Sequence, residues 1–207
     1  DVLKDEDIAR RFNIKEILND VIYSSTNKDI LETLKLIELL NTHKYILNNM
    51  IMRLEIAIAI EIKYFALTKF MPTFLEKPFT LEIVDNVITC ENVKTGEVNK
   101  KELKQKYNIP PIKFTGIIDR VDINGKNISI IDYKSSQSDF SLDSLELGFI
   151  SQILTYALAC ELMFGKNSED ILGIFYREIA KLGKDLKNYR LRGLANSDLI
   201  LDDEFYE

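Results

Sequence analysis

The chain opens on a helical hydrophobic pattern and then changes period. Residues 3 to 70 carry apolar positions at helical spacing with few breakers. Asn27 to Leu40 sets Ile30, Leu34, Ile37 and Leu40 on one side, and Tyr45 to Phe70 sustains a long helix stopped by Met71-Pro72. From Phe74 to Cys90 the pattern turns β-like around a turn at Asp85-Asn86. Gly96 breaks the chain before a polar stretch, Lys100 to Tyr107, predicted to be helical and halted by Pro110-Pro111. Two apolar runs follow, separated by Asn124-Gly125, then a polar loop from Ser135 to Ser144. Leu145 to Phe164 reads as a helix with Ile150, Ile153, Leu154, Ala157, Leu158 and Leu162 available for burial. Ile171 to Glu178 supplies a strand, Tyr189 to Leu194 a short one, and the acidic tail from Asp202 is expected to fray. This order predicts an α/β core, a mixed sheet flanked by helices, over residues 72–207, behind an α-helical N-terminal portion over residues 1–71.

Ionisable residues interrupt the two central apolar runs, where an ordinary strand carries Val or Ile: Gly116-Ile117-Ile118-Asp119-Arg120-Val121-Asp122 and Ile130-Ile131-Asp132-Tyr133-Lys134. Asn124-Gly125 is a strong hairpin signal and predicts a two-residue type I′ turn. In that register Asp119 lies opposite Ile130, and Asp132 opposite Ile117. Asp119, Asp132 and Lys134 then share one face, with the two carboxylates as diagonal neighbours roughly 7 Å apart. Arg120, Asp122 and Tyr133 project to the other face, where an Arg120–Asp122 ion pair is the expected structural use.

Two carboxylates this close repel, and a divalent cation removes the conflict. Oxygen donors with no nearby Cys or His favour Mg²⁺ or Mn²⁺ over zinc. A hard cation beside a lysine suits phosphodiester hydrolysis, where the ion polarises the phosphoryl oxygen and the ammonium orients water or meets developing charge. The plainer reading is a surface hairpin whose charges alternate. Glu76 is a further carboxylate that could join the site or neutralise Lys134, and the Tyr133 backbone carbonyl is an additional candidate ligand. Gln152 and Tyr156, four apart, share a helix face. Ser135 and Ser136 have no His partner or oxyanion motif and are not read as nucleophiles.

These residues resemble the PD-(D/E)XK nuclease superfamily and, within it, the RecB-like nucleases. Gly116, Asp119, Arg120 and Asp122 match in the first strand, Asp132-Tyr133-Lys134-Ser135 in the second, and Gln152 with Tyr156 on the following helix. Phe114 to Gly165 as a whole, the Phe70 to Phe79 approach, and the segments at Gly173–Tyr176 and Tyr189–Leu194 look like the nuclease region of AddB-type helicase-nuclease subunits. The resemblance implies a restriction-endonuclease-like fold, Asp119 and Asp132 as metal ligands, Lys134 as the catalytic lysine, and Gln152 and Tyr156 facing the substrate strand. It further implies Mg²⁺ or Mn²⁺ as cofactor, DNA as substrate, exonuclease action in double-strand-break processing, and an AddA-type helicase-nuclease subunit as partner.

Composition changes this picture in three places. His43 is the only histidine; Leu39 stands where RecB-like enzymes usually have a Gly before their histidine, so His43 reads as a surface or capping residue. Cys90 and Cys160 are the only cysteines, too few for the four-cysteine iron-sulfur cluster of AddB proteins, which is expected only in a longer parent. The chain starts without Met and has no Walker-type loop, so it reads as part of a longer protein, or else as a self-standing relative. Net charge is −6, against simple electrostatic coating of DNA, although Lys100, Lys101, Lys104 and Lys106 and the segment Lys181 to Arg192 are locally basic. No membrane span is expected, because Glu55, Glu61 and Lys63 interrupt the most apolar run, and unpaired cysteines fit a cytoplasmic setting. A reading from a different class is a catalytically silent DNA-binding or scaffolding module that keeps the fold.

Overall fold

A computed structural model describes residues 13–24, 32, 33, 35, 41–134, 141, 143, 151–178 and 191–196, leaving aside the side chains of 22, 23 and 41–43. The chain divides into two units, Asp1–Thr68 with Lys181–Tyr189, and Lys69–Ala180 with Arg190–Glu207. In the first, α1 (Ile14–Tyr23) packs on α2 (Asn41–Thr68) through Ile14 and Ala59, with Leu18, Ile58 and Ile62 around them. The long helix predicted from Tyr45 begins at Asn41 and ends at Thr68, where Lys69 turns left-handed at φ 61°. Most of the Asn27 to Leu40 helix lies outside the described residues. Among the described residues no helix is long and apolar enough to cross a membrane.

The second unit holds a seven-stranded sheet in the order β3-β2-β1-β4-β5-β6-β7. Its strands are β1 (Met71–Val84), β2 (Val87–Asn92), β3 (Glu97–Glu102), β4 (Ile112–Asn124), β5 (Asn127–Lys134), β6 (Ile171–Glu178) and β7 (Arg192–Ala195). All neighbours are antiparallel except β5 and β6, which run parallel and are joined through α3 (Ser151–Phe164). The sheet is therefore mixed, and the fold is α/β and restriction-endonuclease-like, as expected from the sequence. α3 buries Ile153, Tyr156, Ala159, Cys160 and Leu162 in a core shared with β1, β2, β4, β5 and β6. Leu154, expected in that core, is 48% exposed. β5 and β6 lie inside the sheet; β6 is buried throughout and β5 from Ile128 to Asp132, which explains the apolar stretches Ile128–Ile131 and Ile171–Tyr176.

Three sequence expectations need correction. The polar stretch from Lys100 begins within β3, which among the described residues pairs with β2 alone; an edge strand facing water accepts Lys and Glu without an apolar alternation. The central hairpin turns at Gly125-Lys126, because Asn124 pairs with Asn127. Of these two turn residues only Gly125 has positive φ, +60°, the type II′ pattern with glycine first. The type I′ signature appears instead at Asp85 and Asn86, both left-handed, between the paired Val84 and Val87.

Side-chain alternation also fails at one place. Ile118 and Val121, three residues apart, both enter the core, and across the ladder so do Phe79 and Phe74. Strict alternation would send one of each pair to the opposite face. The paired register of β1 and β4 skips Glu76 and Asp119, and Glu76 is left-handed at φ 47°. Both strands thus change face together, leaving Asp119 in line with Val121 on the side covered by α3.

Candidate active site

β4 and β5 bring the three predicted residues to the end of the hairpin ladder. The last regular pair is Arg120 with Ile131; beyond it the Tyr133 N–H donates to Asp119 Oδ2 at 2.7 Å. Asp119 thus replaces the departing strand as acceptor and fixes its own carboxylate beside Asp132. Lys134 lies one pleat past Asp132. Its ammonium is 2.5 Å from Asp132 Oδ2 and donates to Gln152 Oε1 on α3 at 3.1 Å. Gln152 Nε2 in turn donates to the Tyr156 hydroxyl at 2.7 Å, a pair one helical turn apart. Asp119, Asp132, Lys134, Gln152 and Tyr156 are therefore brought together.

The slip of the turn did not disturb this grouping. It moved Asp119 from a position opposite Ile130 toward one opposite Asp132, a shift of two places along the partner strand, which keeps every side chain on its face. On the other face Arg120 Nε and Nη2 donate to Asp122 Oδ1 and Oδ2 at 2.6 and 2.5 Å, both side chains being buried. The same guanidinium donates from Nη1 to the Tyr133 hydroxyl at 2.7 Å. The expected ion pair is present and also anchors the residue between Asp132 and Lys134.

Gly116 has a packing reason. A Cβ there would lie 2.9 Å from the Phe79 ring and 3.5 Å from that of Tyr156, and Phe79 is its cross-strand partner. The two rings meet edge to face at 5.8 Å and hold Tyr156 against the sheet.

Burial pushes the Asp132 carboxyl above the usual carboxylate range; the Lys134 ammonium pulls it back, and the charge of Asp119 adds to the rise. Burial likewise raises the Tyr156 phenol, with Asp132, Asp119 and Glu76 contributing. Tyr176 on β6 stands beside Asp132 in the parallel register, and burial pushes its phenol up to about 12. Sequence reasoning missed this residue, since no local pattern reveals which strand pairs in parallel with β5. Its ring centroid is 4.8 Å from the Lys134 ammonium.

A hard cation fits the donor set. Asp132 Oδ2 is shut off from solvent, with the Lys134 ammonium as its charged neighbour at 2.5 Å. Among the described residues no group of three His, Cys, Asp or Glu side chains gathers around one point, so Asp119 and Asp132 are the carboxylate pair on offer. Mg²⁺ is commonly held by one or two carboxylates with water and substrate completing its shell. Glu76 occupies the unpaired position across from Asp119. The side chain of His43 and the loop at Ser135 and Ser136 lie outside the described residues. Cys90 and Cys160 are buried free thiols, both raised by burial.

A mixed sheet with a central hairpin carrying D and D-x-K, followed by a helix carrying Q-x-x-x-Y, defines a nuclease core of the restriction-endonuclease type. The chain belongs to the PD-(D/E)XK nuclease superfamily, whose family model matches residues 27–202. Similar curated proteins include a subunit of the ATP-dependent helicase/deoxyribonuclease of Streptococcus mutans, 31% identical over 104 residues, covering 45% of this chain and 10% of that protein. The protein of the same name from Carboxydothermus hydrogenoformans is 32% identical over 132 residues, covering 52% and 12%. The chain spans about a tenth of the length of these relatives.

Proposed function

We propose that this chain is a Mg²⁺- or Mn²⁺-dependent DNA nuclease domain, acting as an exonuclease on strand delivered by a helicase. The observation that carries it is the convergence of Asp119, Asp132 and Lys134 on one face, with Lys134 tied to Gln152 on α3. Asp119, Asp132 and the Tyr133 carbonyl would hold the ion. Bound there, it supplies polarisation of the scissile phosphoryl oxygen and acidification of water. Lys134 presents N–H donors toward the attacking water and the phosphate charge that grows as the bond forms. Gln152 keeps that ammonium in place, and Gln152 with Tyr156 lines the substrate strand. Residues 72–207 would form the catalytic portion and residues 1–71 a helical region.

The relatives' names support a wider proposal. The chain would serve as the AddB-type nuclease of an ATP-dependent helicase-nuclease, beside an AddA-type subunit, in cytoplasmic double-strand-break repair. An iron-sulfur cluster would belong to a longer parent protein, because Cys90 and Cys160 alone cannot build one. The test is degradation of linear single-stranded DNA with Mg²⁺. The wild-type chain should degrade it, and Asp132→Ala and Lys134→Ala should each lose at least about 100-fold. Equal degradation by the variants contradicts the mechanism; DNA binding without cleavage by the wild type favours the scaffolding alternative.

A further inference from the structure

The Lys134 ammonium is bounded on three sides. Asp132 Oδ2 lies at 2.5 Å, Gln152 Oε1 at 3.1 Å, and the ring centroid of Tyr176 at 4.8 Å. Two sides are oxygens and the third is an aromatic face. Tyr176 is buried and sits in the parallel ladder next to Asp132, so its ring is set by packing with β5 and not by solvent. A cation within about 6 Å of a ring centroid is attracted by the ring quadrupole, most strongly where water is excluded. That attraction spreads over the π-face and leaves the N–H donors available to other acceptors. Asp132 cannot serve as the constant holder of Lys134 if its oxygens are to take up an ion.

On the nuclease reading, we propose that Tyr176 is a positioning residue for Lys134, holding the ammonium over its ring while the N–H groups point to Gln152 and the substrate phosphate. The tyrosine hydroxyl is not required for this role; the ring is. Tyr176→Phe therefore preserves the arrangement and Tyr176→Leu removes it.

The first measurement needs no DNA. In the chain with isotopically labelled lysine, the ε-methylene protons of Lys134, assigned by their loss in Lys134→Arg, should resonate upfield because of the ring current. The displacement should persist in Tyr176→Phe and vanish in Tyr176→Leu, with thermal unfolding confirming that each variant is folded. The second measurement is cleavage of linear single-stranded DNA with Mg²⁺. Tyr176→Phe should keep near wild-type kcat, while Tyr176→Leu should lose about five- to tenfold in kcat with KM unchanged. An ordinary Lys134 ε-proton shift in the wild type overturns the proposal, as does equal kcat for the Phe and Leu variants. An upfield signal in a chain that cleaves nothing supports the ring's hold on Lys134 and counts against the nuclease reading instead.

Discussion

Asp132 carries two loads that conflict in the absence of a cation. Its carboxylate is almost fully buried, and the loss of water outweighs the help it receives from Lys134, so its folded pKa lies above the ordinary aspartate value. Protonation then favours the fold: the contribution is present below the unfolded pKa and is lost as pH rises through the raised folded value. Asp132→Asn should consequently raise the thermal unfolding temperature at pH 7 in EDTA, with the gap over wild type closing toward pH 4. A variant less stable than wild type at pH 7 would contradict this. The same change should remove nuclease activity, the exchange of stability for function expected of a charged site. Gly116 gives a second case. Gly116→Ala pushes a methyl against the buried Phe79 ring, which supports Tyr156, and should cost about 1–2 kcal/mol in urea unfolding. The grouping of Asp119, Asp132 and Lys134 was legible from residue order because faces depend only on parity along a strand. Tyr176 was not, because its place beside Asp132 depends on a parallel pairing between distant segments.

The central hairpin shows how an element can be foreseen with its turn misplaced. Asn124-Gly125 was a sound turn signal, but glycine at the first turn position suits type II′, and pairing Asn124 with Asn127 sets the register observed. What no pattern revealed is the joint change of face at Glu76 and Asp119, since a left-handed glutamate carries no mark of its own in the sequence. Lys100 to Glu102 misled for a different reason: a polar edge strand lacks the apolar alternation by which strands are recognised. On the far face of the hairpin, the Arg120–Asp122 pair is buried at 2% and 0% exposure. Asp122→Ala removes the partner of a buried guanidinium and should cost about 3–5 kcal/mol in chemical denaturation, whereas Arg120→Met with Asp122→Leu should recover much of that loss. Because Arg120 also holds the Tyr133 hydroxyl, the single variant should loosen the strand end that carries Asp132 and Lys134.

For the whole molecule, a net charge of −6 and membership of a nuclease superfamily are compatible when acidic groups gather at a cation site. The curated relatives are about ten times longer than the region they share with this chain. Catalysis of the kind proposed requires that the carboxylate pair take up a cation. A crystal soaked in Mn²⁺ and measured at the manganese absorption edge should show an anomalous peak between Asp119 and Asp132, absent from the Asp132→Ala variant. A fully soaked wild-type crystal with no peak there, or with manganese bound only elsewhere, would contradict it.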